Sequence, residues 1–162
     1  MSTADADATE KNAQSGPERR AKLHNTIASL IKLRHDVIVS YCKLTGVSSF
    51  NVRDLETHNI NVDQLSVFCQ VMVDYTAMGH FEVYQRIIEG KERRRAVKEV
   101  ASDVYPAIAE TTDHLVEFND KYDTLDSSQI DAGTLREELS RLGEIIAIRS
   151  ELEDQILAAL QR

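Results

Sequence analysis

Few side chains in this sequence are placed to do chemistry, and their spacing limits which chemistry to look for. Asp74 stands alone as a carboxylate in a long apolar stretch, and His80 follows beside Gly79 and Phe81. A lone carboxylate among apolar groups is either a buried base or a fixed charge awaiting a cation. A base needs a nucleophile or a second carboxylate within reach, and neither stands near Asp74 in sequence. The remaining histidines, His24, His35, His58 and His114, are scattered. Glu110 and His114 have the i, i+4 spacing of one helix face. That pair serves a metal only with two or three ligands from elsewhere, and otherwise makes a surface interaction. There is no Gly-rich phosphate loop, no HExxH and no Glu-x-x-His pair of the kind that helical di-iron bundles carry. Cys42 and Cys69 lie on apolar helical faces without CxxC spacing, and read as buried thiols. The chain is therefore not expected to be an enzyme, and no cofactor or metal is assigned. A metal- or small-molecule-binding bundle using Asp74 and His80 is the alternative.

The stretch that must position Asp74 and His80 is Leu65 to Ile88, reading LSVFCQVMVDYTAMGHFEVYQRII. On an α-helical wheel Leu65, Phe68, Cys69, Met72, Val73 and Thr76 form one core-facing stripe. The opposite side should be polar, yet it carries Val67, Gln70, Val71, Asp74, Met78 and, if the helix continues, Phe81. A helix that is apolar on two sides is either buried in the middle of a bundle or keeps one side for a partner. Pattern alone leaves both readings open. Gly79 either ends this helix or bends it, and His80 reads equally as a structural group closing that turn.

The other helices follow from the same periodicity. Residues 1–14, polar and acidic, read as a disordered tail, and residues 15–162 as one helical-bundle domain. Helix 1 begins near Pro17, with Ser15 and Glu18 at capping-box spacing, and runs to about Thr45, where Gly46 stops it. Residues 47–60 read as a loop, and Asn61 caps helix 2. Gly90 closes a short segment after Gly79, and the basic run Lys91–Arg95 reads as a solvated turn. Helix 3 starts near Ala96 with the stripe Val97, Val100, Val104, Ile108, Leu115 and Tyr122; Pro106 inside it predicts a kink or a break. Residues 123–133 form a polar connection. Thr134 and Glu137 cap helix 4, whose apolar face runs from Leu135 through Leu139, Leu142, Ile145, Ile146, Leu152 and Ile156 to Leu160. Four amphipathic stripes with short connections predict an all-α, antiparallel up-and-down helical bundle with a kinked third helix.

Composition sets the class of partner. At 162 residues the chain can bury one real core. No apolar run is long enough to span a bilayer, and the N-terminus has neither the basic start nor the apolar centre of a signal peptide, so a cytoplasmic protein is expected, with no membrane partner. The net charge is −8, and residues 101–162 hold 14 acidic and 5 basic side chains. That acidity argues against direct nucleic-acid binding and suits a basic protein partner; it serves solubility equally well. The apolar patch also leaves room for weak self-association.

Phe68-Cys69-Gln70, Val73-Asp74-Tyr75, Gly79-His80-Phe81 and Tyr84 together form a long motif. Through it the chain resembles the regulator of sigma D family, the Rsd/AlgQ group of anti-sigma factors. Arg34, Val39, Tyr41, Leu44 and Gly46 agree with that family in helix 1. Leu139-Ser140, Leu142-Gly143-Glu144, Arg149 and Leu152-Glu153-Asp154 agree in helix 4, and Pro106 sits at the family's intrahelical proline. The family's helix 1 tryptophan is absent, with Leu30 or Ile31 in its place. The resemblance spans about residues 20 to 160. It implies a bundle that binds region 4, the C-terminal domain, of the housekeeping sigma factor. Such capture blocks contacts with core RNA polymerase and −35 promoter DNA, as growth slows into stationary phase. By match to the motif, Asp74 and Phe81 are the expected sigma-binding positions, with Tyr75, His80, Met78 and Val71 from the same surface.

Overall fold

A computed structural model describes residues 16–46, 60–88 and 93–161. The described residues fold into four main helices: α1 (Gly16–Thr45), α2 (Val62–Met78), α3 (Arg95–Tyr122) and α4 (Ala132–Leu160). Gly46 leaves α1 at φ 72°, the left-handed turn expected of a C-terminal glycine. Asn61 caps α2, its side chain accepting from the amides of Asp63 at 2.8 Å and Gln64 at 3.2 Å. The expected start of α4 moves. Asp131, not Thr134, is the cap, and its carboxylate accepts from the Thr134 hydroxyl at 2.5 Å and amide at 3.4 Å. α3 runs unbroken through Pro106, so of the two outcomes expected there the break does not occur. Pro106 faces solvent, where the carbonyl that loses its amide partner can turn to water. The expectations for the tail, the Ser15 cap, most of the loop after Gly46, Gly90 and Lys91 lie outside the described residues.

The helices pack in an antiparallel ring, each mainly on its two neighbours, with α1 against α2 and α4, and α3 against α2 and α4. Cross-helix contacts fix the directions. Tyr41 lies 5.9 Å from Phe68, and Phe68 lies 6.0 Å from Phe118, ring to ring. The Tyr41 hydroxyl donates to the Leu139 carbonyl at 2.7 Å. Leu30, Val37, Leu44, Leu65, Phe68, Met72, Ile108, Leu115, Leu139 and Ile146 fill the interior. Burying such side chains stabilises by about 1.5–3 kcal/mol each and is the main term holding the bundle. Cys69 is fully buried and Cys42 half-buried, both as free thiols; burial pushes the Cys69 thiol up to about 11.

One part of the core is polar. The Glu153 side chain of α4 is fully buried and accepts hydrogen bonds from two tyrosines, Tyr75 to Oε1 and Tyr84 to Oε2 at 2.5 Å. Arg149, one turn earlier and also buried, holds its Nε 3.6 Å from Glu153 Oε2, an ion pair too long for a hydrogen bond. Its Nη1 donates to the hydroxyls of Thr111 at 3.0 Å and Thr112 at 2.7 Å on α3, and its guanidinium lies 5.2 Å from the Tyr75 ring centre. Arg34 of α1 pairs with Asp154 at 2.7 Å and reaches within 3.8 Å of Glu153. α1, α2 and α4 meet at this carboxylate, and α3 joins them through Arg149.

The geometry of α2 answers to it. Tyr75 and Tyr84 are nine residues apart, which at about 100° per residue puts them on opposite faces of an α-helix. Both nevertheless reach Glu153, because residues Gly79–Tyr84 form a π-helical turn, marked by the Gln85 amide donating to the His80 carbonyl. The residue gained in that turn takes back about 100° of rotation. Gln85–Ile88 then resume the α-helix. Gly79 keeps ordinary helical angles; its role is space. A Cβ there would stand 3.1 Å from the Tyr84 ring and 3.5 Å from Arg149 Nη2.

Replacing Glu153 by Ala leaves a buried arginine without its counter-charge and two hydroxyls without an acceptor. The expected cost is about 3–5 kcal/mol in urea unfolding, with Glu153→Gln losing less because it keeps an acceptor oxygen. Burial, followed by the Glu153 charge, pushes both Tyr75 and Tyr84 well above the ordinary tyrosine value. Below about pH 10 both folded and unfolded chains hold these protons, and the contribution is complete. Above that pH the unfolded chain releases protons that the native state keeps, so stability is expected to fall as pH rises. The urea midpoint followed from pH 8 to 11 checks this: a flat profile above pH 10 contradicts the buried tyrosine pair.

Candidate functional site

The second apolar side of α2 is open, as the partner reading requires. Val67 is exposed, Asp74 is exposed, and Val71 and Met78 are half-buried against the edge of the core. The Asp74 carboxylate accepts from Gln70 Nε2 at 3.1 Å, one turn earlier, which fixes the charge on the ridge of the helix. Phe81 is 63% exposed, the most exposed large apolar side chain among the described residues. His80 is exposed and sets its ring edge-on to Phe81, 4.9 Å centre to centre.

Two positions differ from the wheel. Tyr75, expected on the open surface, is 0% exposed; its hydroxyl goes to Glu153, so it has nothing to offer a partner directly. Val73, expected in the core, is 41% exposed. Both follow from a core face centred further toward Tyr75 than the chosen stripe, so that Leu65, Phe68, Met72 and Tyr75 face inward.

Phe81 also changes company. On an unbroken α-helix it would follow Asp74 by nearly two whole turns and share that stripe. The π turn rotates it back toward Val73 and Ala77. There it lines a shallow groove of about 240 Å³ between α2 and α3, with Val73, Ala77 and His80 on one wall and Val116 and Asn119 on the other. Asn119 Oδ1 is buried and has no hydrogen-bond partner among the described residues. The sequence-predicted residues thus fall into two adjoining strips. Phe81 and His80 border the groove; Val71, Asp74 and Met78 lie on the ridge and its far side. The α3 contribution was missed. Its only signal was Val116, an apolar residue one place off the α3 core stripe.

This arrangement can hold an apolar side chain in the groove and a cation on Asp74. No three His, Cys, Asp or Glu side chains converge as metal ligands among the described residues. Asp74 is engaged with Gln70, and Glu110 and His114 are solvent-exposed on α3. No described helix is long and apolar enough to cross a membrane.

An exposed phenylalanine contributes little to folding. Phe81→Ala is expected to change unfolding free energy by no more than about 0.5 kcal/mol, whereas the buried Phe68→Ala should cost about 3–5 kcal/mol. Chemical denaturation of the two variants makes the comparison. A large loss with Phe81→Ala would mean that it belongs to the core.

Comparison with known proteins gives this surface a context. Residues 10–161 match the family model described as "Regulator of RNA polymerase sigma(70) subunit, Rsd/AlgQ". The chain is 31% identical over 125 residues to a "Regulator of sigma D" from Yersinia enterocolitica, covering 76% of this chain and 73% of that one. A protein of the same name from Yersinia pseudotuberculosis is 31% identical over 126 residues, 76% of this chain and 72% of its own. One from an Enterobacter strain is 28% identical over 144 residues, 87% and 83%. No solved structure matches the chain. With almost its whole length matched and the motif around Asp74 and Phe81 folded onto one exposed helix, the chain belongs to the Rsd/AlgQ family.

Proposed function

We propose that this protein captures region 4 of the housekeeping sigma factor on the α2–α3 face and so withholds it from core RNA polymerase and from −35 promoter DNA. As a member of the Rsd/AlgQ family it is a regulator of a sigma factor. The finer reading is carried by one observation: Phe81 stands exposed at an apolar groove, with the charge of Asp74 on the adjoining ridge, on a helix that needs neither for its own packing.

Region 4 is a basic helix-turn-helix module, shaped to meet phosphates and base edges. A competitor for such a surface needs negative charge outside and an apolar anchor at its centre. The exposed faces of α3 and α4 supply the first through Asp103, Glu110, Asp113, Glu117, Glu144 and Glu151, among others. Phe81, with Val73 and Val116, supplies the second. Apolar anchors set the lifetime of a complex, while surrounding charge sets its encounter rate and excludes wrong partners. Val71, Met78 and His80 flank the anchor, and Tyr75 acts from beneath by holding α2 in place. The capture takes place where sigma factor and polymerase meet, in the cytoplasm.

Titration of labelled region 4 at two salt concentrations tests this. Phe81→Ala is expected to weaken binding by roughly thirtyfold, the loss of about 2 kcal/mol typical of a central anchor. Asp74→Asn should lower the association rate and flatten the salt dependence with a smaller change in dissociation. If region 4 binds both variants as tightly as the wild type, at either salt, this face is not the docking surface.

A further inference from the structure

The antiparallel ring brings four helix ends together at one pole: the starts of α1 and α3, the end of the α2 continuation, and the end of α4. They enclose a cleft of about 740 Å³ that shares no lining residue with the groove at Phe81. Its lining is unlike the rest of the molecule. Arg19 and Arg20 come from α1, Arg86 from the end of the α2 continuation, and Arg93 and Arg94 from the basic run before α3; His24 joins them. Among the described residues no aspartate or glutamate lines it, although the chain has 27 acidic residues against 19 lysines and arginines.

Two of these guanidiniums have backbone partners. Arg20 Nε donates to the Gly16 carbonyl at 3.4 Å, and Arg94 Nη1 to the Leu160 carbonyl at 2.8 Å. Arg19, Arg86 and Arg93 have no ion pair to a carboxylate among the described residues. Like charges gathered from three segments repel one another, and only an anion between them reverses the sign of that interaction. The guanidinium fork matches phosphate oxygens two at a time. Leu23, Ile27 and Leu160 add an apolar side to the lining, and the volume lies within the roughly 300–1,000 Å³ range of small-ligand sites.

We infer that this pole is a binding site for a small anion bearing several contiguous phosphates, either an inorganic polyphosphate or a nucleoside polyphosphate. A single phosphate would engage two of the arginines and leave the others unneutralised. A long nucleic acid would have to leave the cleft across an acidic surface that repels it.

Calorimetric titration of the full chain with inorganic tripolyphosphate, adenosine and guanosine triphosphates, inorganic phosphate and a short single-stranded oligonucleotide tests the site. The expected result is saturable, one-to-one binding of tripolyphosphate, tighter than that of phosphate. Binding should be weakened roughly tenfold or more in the double variant Arg86→Ala, Arg93→Ala. The thermal midpoint of that variant should not fall, because Arg93 is exposed, Arg86 is half-buried, and neither has an ion pair to a carboxylate among the described residues. Tighter binding of a nucleoside triphosphate than of tripolyphosphate assigns the site to nucleotides; equal binding assigns it to the phosphate chain alone. Three results would each overturn the inference: no saturation at millimolar tripolyphosphate or nucleotide, undiminished binding in the double variant, or an oligonucleotide bound as tightly as tripolyphosphate.

Discussion

A single buried carboxylate constrains this bundle. Glu153 on α4 takes hydroxyl hydrogen bonds from Tyr75 and Tyr84, faces Arg149, and lies within reach of Arg34. A charge in a low-dielectric interior is tolerated only when its partners are in place, and losing one of them costs more than the bond itself. The two tyrosines are half a turn out of phase on an α-helix, so α2 can satisfy Glu153 only by accommodating an extra residue. The π turn at Gly79–Tyr84 is that accommodation, and the missing side chain of Gly79 leaves room for the Tyr84 ring and Arg149 beside it.

The same turn sets the outside of the molecule. What it does to Tyr84 on the inner face it does in part to Phe81 on the outer face, turning the ring from the Asp74 stripe to the groove shared with α3. A polar contact in the middle of the core therefore decides where an exposed aromatic points. Apolar packing supplies most of the stability of the fold, but apolar packing is tolerant of small rotations. A hydrogen-bonded, charged node is less so, and gives α2 one register instead of several.

Much of this could be read from the residues alone. Leu135, Leu139, Leu142, Ile146, Ile156 and Leu160 fall at helical spacing and all are buried; Asn61 and Gly46 mark helix ends as their chemistry dictates. The second apolar face of α2 was legible as an excess of apolar side chains where polar ones belong; that it opens outward is what the structure adds. Other features were not. Asp131 outcompetes Thr134 as a cap because a carboxylate is the stronger acceptor for both the amide and the hydroxyl of Thr134. Tyr75 and Val73 exchanged places because a wheel fixes the spacing of a stripe but not its centre. The π turn has no signature of its own in Gly-His-Phe-Glu-Val-Tyr, and only the distant partner Glu153 explains it. The arginine cleft was invisible for the same reason, since its members meet only through topology.

Amide hydrogen exchange of the Tyr84→Phe variant tests most directly whether Glu153 holds the π turn. That substitution removes one hydroxyl and almost no volume. Faster exchange is expected at the Gln85 amide, which donates to the His80 carbonyl, and at its neighbours through Ile87, while the amides at the centre of α3 keep their protection. Exchange that is unchanged at Gln85, or that rises equally in every helix, would contradict the link between the buried carboxylate and the shape of α2.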